Sequence, residues 1–170
     1  MLKRLTPDLY VKRIYNIPFS YLEKNKIKGV VIDLDNTIAP WNSNVIEKPF
    51  SDWLNMVQAN GIQIVLVSNN KEERVKVFSK LIDVPFIAGA TKPLRTAFIR
   101  AMDMMGSKKN ETVVIGDQIF TDILGGNMVG LHTILVEPMA SKEFIGTKVL
   151  RALERLVLSH LSMTEEKYEE

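Results

Sequence analysis

The sequence predicts an α/β fold: one parallel sheet of five strands with helices on both faces. Two observations carry this prediction. Short runs rich in Val and Ile alternate along the chain with longer stretches of helical apolar spacing, the pattern of right-handed βαβ units around a parallel sheet. The chain has 170 residues, which fits one domain with short extensions.

The elements follow in order. Gly29-Val30-Val31-Ile32-Asp33 is an apolar run ending in an acid, and reads as a buried first strand. Residues 47–60 read as a helix with Phe50, Trp53, Leu54 and Val57 on one side, stopped by Gly61. Ile62 to Val67 is the second strand, and Lys71 to Ile82 the next helix. Val84 to Ala88 contains Pro85, so it reads as a short strand at a sheet edge. Residues 93–105 form a helix that Gly106 stops. Thr112 to Gly116 is the fourth strand, Phe120 to Met128 a short helix, and Leu131 to Val136 the fifth strand. Val149, Leu150, Leu153, Leu156 and Val157 make the apolar stripe of a final helix over residues 143–160. Ahead of the first strand, Tyr10, Ile14 and Ile17 give some amphipathic character to a segment in which Pro18 limits any helix. The expected plan is a single domain over residues 1–160. It comprises a basic N-terminal arm (1–28), a core (29–137) and the final helix (143–160), followed by an acidic tail (161–170).

Lys and Arg number 22 against 20 Asp and Glu, a net charge of +2, and hydrophobic residues make up 46%. That composition is ordinary for a globular protein and argues against an intrinsically disordered chain. There is no cysteine, which excludes disulfides, thiolate metal sites and cysteine nucleophiles. Apolar runs such as Ile64-Val65-Leu66-Val67 fall far short of the ~20 residues that span a bilayer. Lys3 and Arg4 are not followed by the apolar block of a secretory signal. The expected location is the cytoplasm. The charge is uneven: residues 1–28 carry seven basic groups against Asp8 and Glu23, whereas the last ten residues are acidic. A basic arm suits an anionic membrane surface or a solvated face. Nucleic acid is not expected as a partner, since the overall charge is slight and no aromatic–basic interleaving occurs.

Parallel α/β sheets place their chemistry beyond the carboxyl ends of the strands. There the first strand delivers Asp33-Leu34-Asp35-Asn36-Thr37 and the second Ser68-Asn69-Asn70. Thr91-Lys92-Pro93 follows the third, and the fourth ends in Gly116-Asp117, with Asp122 five residues on. Several carboxylates at one apolar edge are costly unless something balances them. Hard oxygen ligands from Asp33 and Asp117, with a backbone carbonyl, suit Mg²⁺. A phosphate would complete the balance, paired with Lys92 and hydrogen-bonded by Ser68 and loop amides.

This ordered set resembles the haloacid dehalogenase (HAD) superfamily of phosphohydrolases, a three-layer Rossmann-like fold. Asp33-Leu34-Asp35-Asn36-Thr37 resembles its first motif, Ser68 its second, Lys92 its third, and Asp117 with Asp122 its fourth. The wider text, Asp33 to Trp41 and Gly116 to Asp122, is similar to the YqeG-like group of subfamily IIIA, which is related to mitochondrial phosphatidylglycerophosphate phosphatases. The resemblance implies a phosphatase in which Asp33 is the nucleophile and forms an aspartyl-phosphate. Asp35 then serves as general acid and base, and its backbone carbonyl joins Asp33 and Asp117 around Mg²⁺. Ser68, Lys92, Thr37 and the Asn69 amide hold the phosphoryl group, and Asp122 has a supporting role.

Thirty residues separate Thr37 from Ser68 and 23 separate Ser68 from Lys92. Each interval is filled by elements already assigned, which leaves no room for a cap domain. An open site suits a phosphate displayed on something large. Together with the basic arm, that points to an anionic phospholipid and to peripheral contact with the inner membrane face. The resemblance makes phosphatidylglycerophosphate the substrate. Soluble sugar phosphates or nucleotides, or a weakly catalytic scaffold on the same fold, are the alternatives.

Overall fold

The computed structural model describes residues 2–140. The expected final helix (143–160) and acidic tail (161–170) lie outside the described residues. Among the described residues, six strands form one parallel sheet: β1 (Leu9–Val11), β2 (Gly29–Ile32), β3 (Gln63–Val67), β4 (Phe86–Ile87), β5 (Thr112–Gly116) and β6 (His132–Val136). Their order is β1-β6-β5-β2-β3-β4. The helices are α1 (Phe19–Lys24), α2 (Lys48–Ala59), α3 (Glu72–Ile82), α4 (Arg95–Met105) and α5 (Leu124–Val129).

The alternation of side chains along each strand builds the layers. Val30 and Ile32 of β2, Ile64 and Leu66 of β3, and Val113 and Ile115 of β5 join a core with α1, α2 and α3. Val31, Val65, Val67 and Val114 point the other way, into a second core with α4 and α5. Helices therefore cover both faces, which is why the strands read as unbroken apolar runs. Chain direction across the sheet reverses at β2, with β3 and β4 on one side and β5 and β6 on the other. This switch point is where α/β sheets open a crevice at the carboxyl ends of their strands. Ile32 is in register with both Leu66 and Ile115, so Asp33, Ser68 and Asp117 emerge close together.

The sheet has six strands rather than the expected five. The additional strand comes from residues 1–28, the segment read as a basic arm. Leu9, Tyr10 and Val11 pair with Ile134, Leu135 and Val136. Asp8 extends the pairing: its amide donates to the Thr133 carbonyl at 2.9 Å, and its Oδ2 accepts the Thr133 amide at 2.8 Å. Ile14, Ile17 and Leu22 are buried in the first core, and Trp53 Nε1 donates to the Ile17 carbonyl at 3.2 Å. The basic side chains of the segment lie mostly on the surface. Apolar spacing gives this segment some amphipathic character but no sign of a strand. A three-residue edge strand has too short a pattern to read, and its partner lies at the far end of the core. Among the described residues, no helix is long and apolar enough to cross a membrane.

Candidate active site

Asp33, Asp35, Ser68, Asn69, Asn70, Lys92, Gln118 and Thr121 line a cleft of about 320 Å³ at the carboxyl edge of the sheet. Asp33 follows β2 directly. Its amide donates to the Ile115 carbonyl at 2.9 Å, so the β2–β5 ladder continues to the first site residue and fixes its backbone. The chain then turns sharply. The amides of Ile38 and Ala39 donate to the Leu34 carbonyl at 3.0 and 3.4 Å, and the Asn36 amide donates to the Ala39 carbonyl at 2.7 Å. Asn36 adopts φ +63°, a left-handed conformation that asparagine tolerates better than most residues. This turn puts Asp35 on the cleft wall. Thr37 is buried behind Asp33, with its hydroxyl 3.4 Å from Asp33 Oδ2, and it does not line the cleft.

Ser68 stands at the end of β3. Its Oγ accepts the Asn70 amide at 3.1 Å, which leaves its O–H to donate. Asn69 clamps the neighbouring loop: its Oδ1 accepts the Lys92 amide at 2.7 Å and its Nδ2 donates to the Lys92 carbonyl at 3.3 Å. Lys92 is thereby aimed inward. Its Nζ lies 2.6 Å from Asp33 Oδ1 and 2.6 Å from Asp122 Oδ1, and all three residues are buried. Asp122 sits on the π-helical turn Ile119–Ile123 that leads into α5. Its Oδ2 accepts the Gln118 amide at 3.2 Å. Gly116 lacks a side chain where one would collide with the Asp122 carboxylate. The glycine therefore admits the acid that steadies the lysine.

Asp33, Asp117 and Asp122 offer carboxylate oxygens within 4.8 Å of one another, all buried. Among the described residues these three acids face the single ammonium of Lys92, so with all three ionised the floor would carry an excess of two negative charges. A divalent cation with a preference for hard oxygen donors balances that excess, and the donor set fits Mg²⁺. Both Asp122 oxygens are already engaged, by Lys92 and by the Gln118 amide. Both Asp33 oxygens are engaged as well, by Lys92 and by the Thr37 hydroxyl, so a cation at this cluster would share its carboxylates with those partners.

Burial, with added repulsion from Asp122 and Asp35, pushes the Asp33 carboxyl up to about 7 against the opposing pull of Lys92. Burial also pulls the Lys92 ammonium down, but Asp122 and Asp33 together outweigh it and hold the group above its ordinary value. A carboxyl raised on folding contributes stability in full below its unfolded value and loses it as pH rises through the folded one. Chelator-treated protein is thus expected to melt at a lower temperature at pH 7.5 than at pH 5. Asp33→Asn should flatten that slope, and Mg²⁺ should restore the melting temperature at the higher pH. Thermal unfolding across pH checks this, and an equal slope in the variant would refute it.

The residues singled out from sequence converge here, with Thr37, Asp117 and Asp122 behind the lining. Asn70, Gln118 and Thr121 were not singled out, although Gln118 and Thr121 lie within the fourth motif's own loop. Arg74 was also missed. Its Nε donates to Asp35 Oδ1 at 2.7 Å, and no signal in the chain joins two residues so far apart.

Comparison with known proteins gives a consistent picture. The family model described as mitochondrial PGP phosphatase matches residues 2–140. The Bacillus subtilis protein named "Probable phosphatase YqeG" is 44% identical over 95% of this chain and 94% of its own. Phosphatidylglycerophosphate phosphatase 1 of Arabidopsis thaliana is 27% identical over 91% of this chain, which corresponds to 47% of that protein. Among solved structures, 3-deoxy-D-manno-octulosonate 8-phosphate phosphatase from Yersinia pestis superposes with a TM-score of 0.54. It is 12% identical, covering 81% of this chain and 84% of its own. At that identity the likeness concerns the fold.

Proposed function

This chain belongs to the mitochondrial PGP phosphatase family, within the HAD superfamily, and on that footing we propose that this phosphatase converts phosphatidylglycerophosphate to phosphatidylglycerol through a phosphoaspartate on Asp33. The observation that carries the chemistry is the placing of Asp33 on the cleft floor, 2.6 Å from Lys92 Nζ, with Asp35 on the wall of the same cleft. In the first half-reaction an Asp33 carboxylate oxygen attacks phosphorus. The bond from phosphorus to the ester oxygen breaks, and Asp35 gives its proton to that oxygen. In the second, Asp35 takes a proton from water while the water oxygen attacks phosphorus. The bond to Asp33 breaks, releasing inorganic phosphate and restoring both residues. Lys92 and the Ser68 hydroxyl hold the phosphoryl oxygens as charge shifts toward them. Asp33, Asp117 and the Asp35 backbone carbonyl would hold Mg²⁺, which would supply the charge that lets phosphate approach a carboxylate-lined floor.

The lipid reading is supported by the access to the site. Among the described residues, the β2–β3 and β3–β4 connections hold α2 and α3 and no further domain. A phosphate presented at a membrane surface reaches such a cleft directly. Two relatives named for phosphatidylglycerophosphate match 91% and 87% of this chain. A Halopiger xanaduensis relative, ribulose-1,5-bisphosphate 5-phosphatase, is 28% identical over 60% of this chain, so soluble esters form the second arm of the test. Phosphate release is measured from vesicles containing phosphatidylglycerophosphate and from a panel of sugar phosphates. The lipid is expected to be preferred, and chelation is expected to lower turnover by about 10²-fold or more, reversibly with Mg²⁺. Turnover of the soluble esters alone would discard the lipid substrate.

A further inference from the structure

Arg74 lies in the first turns of α3, outside the cleft lining, and the chemistry above does not use it. Its guanidinium nonetheless ties the rim together. Nε donates to Asp35 Oδ1 at 2.7 Å, and Nη1 to Asn44 Oδ1 at 3.0 Å. Nη2 donates to the carbonyls of Pro40 and Ser43 at 3.1 and 3.2 Å. The guanidinium carbon lies 5.1 Å from the centre of the Phe78 ring, which is fully buried, so the fork is seated on the core. Asn70 Nδ2 donates to the other Asp35 oxygen at 3.0 Å. Asp35 is thus gripped at both oxygens, and one of the grips also fastens the loop that follows the nucleophile.

We infer that Arg74 is a positioning residue for proton transfer: its guanidinium fixes the Asp35 carboxyl, together with residues 40–44, where that carboxyl serves the ester oxygen. The inference rests on the acid–base role given to Asp35 above. As the phosphorus–oxygen bond breaks, its electron pair passes to the ester oxygen and the proton must arrive from Asp35. Misplacing a proton donor by about 1 Å costs on the order of 10²-fold in rate. The planar fork sets both distance and direction, which a lysine, a single point charge on a flexible stem, does not reproduce.

The test compares two esters that differ in their need for a proton. Phenyl phosphate has a poor leaving group, and 2,4-dinitrophenyl phosphate has one that departs unprotonated. Their kcat/KM values report the step that breaks the ester bond. They are measured for the parent protein, Arg74→Gln, Arg74→Lys and Asp35→Asn, with thermal unfolding to confirm that each is folded. Both Arg74 variants are expected to lose about 10- to 100-fold on phenyl phosphate and less than about threefold on the dinitrophenyl ester. Asp35→Asn should show the same selectivity, more strongly. Should Asp35→Asn be selective while the Arg74 variants lose equally on both esters, lose on neither, or recover fully with lysine, the inference on Arg74 fails alone. Should Asp35→Asn itself respond equally to both, the acid–base role fails and the inference falls with it.

Discussion

Asp33→Asn is expected to lower kcat by at least about 10³-fold while leaving the protein folded. The substitution keeps the size and one oxygen of the side chain but removes the carboxylate that bonds to phosphorus. Its effect on stability runs the opposite way from its effect on turnover. The carboxyl is buried beside Asp122 and within reach of Asp35, and burial is the main cause of its raised value. Without a cation at pH 7.5, the amide removes that burden, so the melting temperature should match or exceed that of the parent. With Mg²⁺ added, the order should reverse, because the variant lacks one of the cation's side chains. Phosphate release and thermal unfolding, each with and without Mg²⁺, check both halves. Activity near that of the parent would remove Asp33 as nucleophile, and an equal Mg²⁺ shift in the two proteins would remove it as a ligand.

Lys92→Met should impair folding and turnover together. Lys92 Nζ is the ammonium between Asp33 and Asp122, 2.6 Å from each. Methionine is of similar length and fills the volume, so the loss is one of charge. Breaking a buried pair from one side costs about 3–5 kcal/mol, because the surviving charge is left uncompensated. Here two acids survive. The loss should therefore be larger at pH 8 than at pH 5, where Asp33 is protonated, and Mg²⁺ should recover part of it. Denaturant unfolding at the two pH values measures this. Turnover should fall by about 10²- to 10³-fold with the loss of a positive charge from the phosphoryl site. Unchanged stability at pH 8 would mean that the lysine's charge does not hold these acids in the fold.

Much of this arrangement was legible in the sequence, for reasons particular to its elements. β2, β3, β5 and β6 are buried on both faces, so their Val- and Ile-rich runs stand out from the amphipathic helices between them. Once those strands are parallel, their last residues must share one edge. The placing of Asp33, Asp35, Ser68, Asn69 and Lys92 together accordingly follows from the sequence. β4 was read as Val84 to Ala88 and is only Phe86–Ile87, since Pro85 has no amide to donate to a ladder. The stretch from Phe120 reads as helix, yet Ile119–Ile123 is a wider, π-helical turn, and the chain's polar spacing does not encode that difference. Asn70 and Arg74 escaped because their roles depend on which side chain faces them across the cleft. On α3 alone, Arg74 looks like any basic residue on an exposed helix face. Strand β1 escaped for the same reason on a larger scale.

The pairing of β1 with β6 also bears on the order in which the fold is completed during synthesis. Leu9 is translated well before Ile134, its partner, which leaves the ribosome only after more than a hundred further residues. At ordinary elongation rates the first strand waits on the order of 10 s for its ladder. Until then the nascent chain can bury Ile14, Ile17 and Leu22 against α2, whose Phe50 and Trp53 arrive much sooner. On that order of synthesis, side-chain docking of this segment would precede its backbone pairing. The edge that it finally covers belongs to the last strand of the sheet, so the two ends of the described fold are sealed in a single closing event.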